Sequence, residues 1–304
     1  MRDMRDGEPA SFEFLRLRPR GPLARFVSSL WFARGRIHYQ RDAILPGGHL
    51  TLILNLGAPH RTFDPRAPQE LARSRLRTDA WLCGQQRGPI LSEPTAETHM
   101  VGAFFHPARA APFLGGSAGG AWRPAAELTD QLVSLESLWG ATSVARARDE
   151  IASAGAPAAK LAALGRVLEA RLNRAMGVGR PPLGGVARLE RALALLEGPR
   201  GHSVAAVCEQ LGVSARHLGG ECRRLLGVSP KTYARIVRFN RALRGAARGA
   251  PRWSELARAC EYYDQAHFIR DFRRFSGLTP GEYVARRRAV YGEGEEAAEF
   301  VPMA

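Results

Sequence analysis

Residues 264–280 read DQAHFIRDFRRFSGLTP. Phe268, Phe272 and Phe275 recur at three-to-four spacing and fall on one face of a helix, while Ala266, His267, Arg270, Arg273 and Arg274 fall on the opposite face. The apolar face predicts a packed helix, and the second face asks for a partner.

Sliding the C-terminal third against itself by fifty residues sets Leu218 on Phe268, Cys222 on Phe272, Leu225 on Phe275, Gly227 on Gly277, Pro230 on Pro280 and Tyr233 on Tyr283. Upstream, VAAVCEQLGVS and ELARACEYYDQ also correspond. Each is a short apolar helix, a tight turn and a polar residue, Ser214 or Asp264, placed to N-cap the next helix. That is helix-turn-helix, twice. Between the copies, TYARIVRFNRALRGAA reads as one amphipathic helix, about 24 Å long at the usual rise per residue. A stiff connector fixes the two second helices relative to each other, and successive major grooves on one duplex face lie roughly 34 Å apart.

The formal net charge is +15, and residues 186–289 hold 20 Arg or Lys against 9 Asp or Glu. A basic C-terminal third points to a polyanionic partner. Charge alone also admits an Arg-rich composition set by base usage, since Lys160 and Lys231 are the only lysines. Repeat, caps, connector and charge together favour double-stranded DNA over a solvated bundle of helical hairpins.

Between residues 12 and 106 the apolar segments are short and broken by Gly and Pro, as in FEFLRL, HLTLILNLG and THMVGAFF. They predict strands of a sheet or small barrel. From about residue 125 the period becomes helical, and KLAALGRVLEARL asks for a partner surface, either the sheet or a second subunit. The fold class expected is α+β: an N-terminal small β-barrel or sheet domain with following helices, then an all-α domain of two helix-turn-helix units joined by a long helix. The divisions are 1–142, a β-rich domain; 143–176, a helical cover or dimerisation segment; 177–185, a linker; 186–289, the tandem reader; and 290–304, an acidic tail expected to be disordered.

These residues bear a family resemblance. The segment 186–288 resembles an AraC/XylS-type DNA-binding domain, and WSELARACEYYDQAHFIRDFRRFSGLTPGEY is similar to its second helix-turn-helix. LPGGHLTLILNLG, FFHPARAAPFLGG and AAELTDQLVSLESLWG resemble a poorly characterised sensor-type domain that often precedes it in bacteria. The resemblance implies a transcription factor whose two recognition helices read adjacent grooves, with the N-terminal domain handling a small-molecule effector or forming a homodimer. The DNA-facing residues would be Arg216, His217, Arg223 and Arg224 in the first copy, and Gln265, Ala266, His267, Arg270, Arg273 and Arg274 in the second. Two departures stand out. Gly219 and Gly220, followed by Glu221, replace long polar side chains in the first recognition helix, and Glu261 stands where the second turn usually has Gly.

Other constellations give way to plainer readings. His49, His99 and His106 lie on or beside strands without the spacing of a ligand set, so no metal and no cofactor is expected. No GxSxG elbow appears, and GGSAGGA lacks the ending of a phosphate loop. Cys83, Cys208, Cys222 and Cys260 form no CxxC pair, and Cys83 reads as a core thiol. Trp31, Phe32, Trp81, Phe104 and Phe105 read as core or as a pocket lining; His49, Trp81 and His99 are the ligand-binding candidates. The charged N-terminus and the absence of a long apolar run predict a cytoplasmic protein away from membranes. The chain is read as a regulator and not an enzyme; the alternative is an N-terminal barrel enzyme tethered to DNA by the basic domain.

Overall fold

The computed structural model describes residues 12–37, 39–63, 74–115, 123–178, 184–198, 202–249, 252–291 and 298–303. The N-terminal half folds into two facing antiparallel sheets. The first has the order β1 (Glu13–Leu17), β2 (Val27–Gly35), β9 (Thr98–Phe105), β4 (Thr51–Asn55), β7 (Ala80–Cys83), β10 (Leu132–Ser134). The second runs β11 (Phe300–Met303), β3 (Arg41–Ile44), β8 (Ile90–Pro94), β5 (His60–Phe63), β6 (Arg75–Arg77).

Strict alternation along the strands sorts their side chains onto two faces. Trp31, Ala33, Ile53, Trp81, Cys83, Met100 and Phe104 gather on one face of the first sheet together with Ile90 of the second. Leu30, Phe32, Leu52, Leu54, Leu82, Val101, Ala103 and Phe105 point the other way. The aromatic residues read as either core or pocket lining are thus all buried, and they divide between the two faces.

Helix α1 (Glu136–Trp139) and α2 (Ala141–Ser153) lead to α3 (Pro157–Val178), which opens on a proline suited to a first helical turn. Leu161, Leu164, Leu168 and Leu172 of α3 are buried in the same cluster as Leu30 and Phe105. Burial of each such leucine is worth about 1.5–3 kcal/mol. Of the two surfaces that KLAALGRVLEARL could meet, the sheet of this chain takes its leucine stripe.

Among the described residues seven helices follow: α4 (Val186–Glu197), α5 (Val204–Leu211), α6 (Ala215–Leu226), α7 (Pro230–Ala247), α8 (Trp253–Ala259), α9 (Gln265–Ser276) and α10 (Pro280–Tyr291). Three of them on each side, α4–α6 and α8–α10, pack against the shared α7, an 18-residue helix about 27 Å long. The first unit packs around Val186, Leu189, Val207, Leu218, Cys222, Leu225 and Tyr233. The second packs around Phe239, Phe268, Phe272, Phe275 and Tyr283, and its core continues onto Ala43, Leu45, Phe63 and Leu91 of the second sheet.

The tail corrects an expectation. Its acidic run ends at Glu299, and the apolar FVPM that follows forms β11 against β3, with Val301 opposite Ala43. Val301 is fully buried, Leu45 N donates to Glu299 O, and Tyr283 Oη donates to Ala298 O. The tail returns to the N-terminal sheet instead of remaining disordered. Residues 292–297, most of GGSAGGA and residues 179–183 of the expected linker lie outside the described residues.

Candidate nucleic-acid interface

Each recognition helix begins at its expected cap. Ser214 Oγ accepts from His217 N at 3.1 Å, and Asp264 Oδ1 accepts from His267 N at 2.6 Å. Each ends at a left-handed glycine, Gly227 or Gly277, that closes the helix through a carbonyl one turn back. These glycines also meet the N-terminal domain. A Cβ on Gly227 would lie 2.6 Å from Thr129 Oγ1, and one on Gly277 would lie 3.9 Å from Pro89. Thr129 Oγ1 donates to Gly227 O at 2.7 Å, and Asn240 of α7 donates to Pro46 O at 3.0 Å. The N-terminal domain therefore holds the C-terminal end of α6 and bonds to α7, and the N-terminal turns of α6 and α9 face solvent.

On α9, Gln265, Ala266, Arg270, Arg273 and Arg274 are exposed, opposite the buried Phe268, Phe272 and Phe275. His267 is half-buried, with its ring edge-on to Tyr262 at 5.3 Å. On α6, Arg216, His217 and Arg223 are exposed; Arg224 is half-buried and donates to Gly184 O at 2.5 Å. Gly220 faces open space, with no neighbouring atom within 4 Å of the place a Cβ would take.

The two acids on these helices do not face solvent. Glu221 of α6 accepts from Arg188 Nε of α4 at 3.0 Å, and Asp271 of α9 accepts from Arg235 Nε of α7 at 3.2 Å. His217 and His267 stand one turn before these acids, with Nε2 3.4 and 3.9 Å away. The repeat thus includes an internal ion pair in each unit. Arg188 hydrogen-bonded to Glu221 draws that carboxyl below its ordinary range. Glu221, singled out beside the two glycines, is a scaffold residue; only pairing across helices, which sequence spacing does not show, reveals this.

The turns differ. Gly212 (φ 62) ends α5 and Glu261 (φ 61) follows α8; in both, the next amide donates five residues back, Val213 N to Cys208 O and Tyr262 N to Ala257 O. Gly212 and Glu261 are therefore equivalent, at an offset of forty-nine rather than fifty, and the second turn holds one residue more before its cap. That residue is Tyr263, 92% exposed. A left-handed non-glycine residue costs on the order of 1–3 kcal/mol.

The three ligand candidates are not brought together. His49 packs edge-on to Phe104 at 4.6 Å, on the face that also holds Trp81. Burial pushes its imidazole down to about 4, so it is neutral. His99 lies on the opposite face against Phe32 at 5.6 Å. Burial pushes the Cys83 thiol up to about 12, which suits the core reading. Among the described residues no group of His, Cys, Asp and Glu could hold a metal, and no helix is long and apolar enough to cross a membrane.

Residues 207–286 match a family described as a helix-turn-helix domain, and residues 15–134 match a domain of unknown function, DUF6597. Among solved structures, ToxT from Vibrio cholerae is 9% identical over 91% of this chain and 98% of its own, with a TM-score of 0.46. An AraC-type DNA-binding domain-containing regulator from Chromobacterium violaceum is 28% identical over 36% of this chain and 98% of its own, with a TM-score of 0.33. No curated protein matches the chain. The matched family and the repeated helical units agree that the C-terminal third carries a helix-turn-helix domain, preceded by an N-terminal domain that matches a family of unknown function.

Proposed function

We propose that this chain is a sequence-specific regulator whose second recognition helix reads bases while the first grips the backbone. The observation that supports this is the unequal dressing of two equivalent helices. α9 turns Gln265, Ala266 and Arg270 to solvent on its first turns, whereas the matching α6 positions are Ala215, Arg216 and Gly220. Arg can bond bidentately to guanine and Gln to adenine in the major groove, and a glycine offers nothing to a base. His267, Arg273 and Arg274 flank the reader, and Arg216, His217, Arg223 and Arg224 serve phosphate contacts in the other half. Tyr263, exposed at the mouth of α9, joins the backbone contacts through its hydroxyl.

The N-terminal domain takes the effector and homodimer roles. With the α3 stripe buried, the dimer surface falls to the open edge of the first sheet, where Phe12 and Phe14 are 43% and 45% exposed. The discriminating experiment is sequencing of genomic fragments that co-purify with the full chain. Enrichment of discrete promoter sites is expected. Recovery of bulk DNA alone would sink the regulator in favour of an enzyme tethered by a basic domain.

A further inference from the structure

Glu261 breaks a rule that its own repeat obeys. Gly212, its counterpart, adopts the same left-handed conformation without strain, whereas Glu261 holds φ 61 with a side chain attached. Strain of this kind persists where the surroundings over-determine it, and it points toward function. The surroundings here are specific. Glu261 Oε2 lies 3.5 Å from Nη1 of Arg241, on the shared helix α7. Arg241 Nη2 also donates to Glu197 O at 2.6 Å and to Gly198 O, the carbonyls that end α4. One guanidinium thus ties the last turn of α4 in the first unit, the connector and the turn that aims α9.

Stability does not account for the arrangement. The pair is partly exposed and stretched, and such pairs return less than a left-handed side chain costs. A glycine would end α8 equally well, as Gly212 ends α5. What a glycine could not do is attach the second turn to the first unit. We propose that Glu261 is a positioning residue: acting through Arg241, it fixes the angle and separation of the two recognition helices, and so selects the spacing between the two subsites of one DNA target. This rests on the DNA-reading assignment above.

The test uses the full chain as parent, Glu261→Gly and Arg241→Met, each offered a duplex library in which the spacing of the two subsites varies, with the thermal midpoint measured in parallel. Glu261→Gly is expected to keep or raise the midpoint while the preference for the best spacing over its neighbours falls several-fold. Arg241→Met should relax spacing in the same way but lower the midpoint, because the α4 carbonyls lose their donor. An unchanged spacing preference in Glu261→Gly overturns the proposal, and so does a lowered midpoint, which would make the pair an ordinary stabilising contact. A parent that selects no duplex at all would instead remove the DNA-reading assignment, and this inference with it.

Discussion

The two helix-turn-helix units share caps, glycine stops, an Arg–acid pair and the His and Arg pairs of their second helices, yet differ in the inward stripe and on the outward first turns. In the second unit the inward positions are Phe268, Phe272 and Phe275; in the first they are Leu218, Cys222 and Leu225. Outward, the second shows a Gln, an Ala and an Arg where the first shows an Ala, an Arg and a Gly. The repeat teaches that a backbone can be preserved by its terminators and one ion pair while packing and recognition diverge around them.

The largest effect expected from this contrast is in the core. Phe272 is fully buried among Phe239, Phe268 and Tyr283, with ring centroids 5.3–5.6 Å apart. Phe272→Ala should cost about 3–5 kcal/mol by denaturant unfolding. Cys222→Ala, at the matching position, deletes one sulfur atom and should cost on the order of 1 kcal/mol. Equal costs would mean that the two cores are packed alike and the contrast is superficial.

Next comes recognition. Arg270→Ala should lose about 1–3 kcal/mol of affinity for the preferred duplex and relax the motif in one half of the site. Arg223→Ala should weaken all sequences alike and flatten the salt dependence. Selection from a randomised duplex library measures both. A sharper half-motif that maps to α6, or one that survives Arg270→Ala, reverses the assignment of reader and anchor.

The ion pairs give a smaller difference that titrates. Glu221 is held below its ordinary range in the folded chain by Arg188, so its contribution is present above the unfolded carboxyl value and is lost as pH falls through the lowered one. Glu221→Gln should therefore lessen the acid sensitivity of unfolding. An unaltered pH profile in this variant would show that the pair contributes nothing.

How much of this is legible in the sequence follows from what local sequence can encode. The caps at Ser214 and Asp264, the connector and the Phe stripe are readable because each is set by residues within one or two turns. The alternating strands are readable for the same reason. The tail misleads because its acidic run dominates a 15-residue window, while the apolar FVPM makes sense only beside β3, about 260 residues earlier. The α3 stripe is visible, but which surface covers it is not. The change of offset at Tyr263 and the burial of Glu221 need three-dimensional pairing, since a sliding comparison assumes one register throughout.

The smallest prediction concerns Gly220, and it bears most directly on whether the first unit is bare by design. A mid-helix glycine costs roughly 1 kcal/mol relative to alanine, through the freedom it gives the unfolded chain. Gly220 has open space where a Cβ would stand, so no neighbour in the free protein requires its absence. Gly219 is little different, with only the flexible end of Arg223 near, at 3.6 Å. Gly220→Ala should therefore raise stability by up to about 1 kcal/mol. If α6 only anchors the backbone at ordinary distance, DNA affinity should hold. If the helix approaches the duplex so closely that a methyl group intrudes, affinity should fall although the protein is more stable. A stabilised variant with weaker binding would assign the glycines to close approach, and one with unchanged binding would leave them as positions where the first helix has given up reading bases.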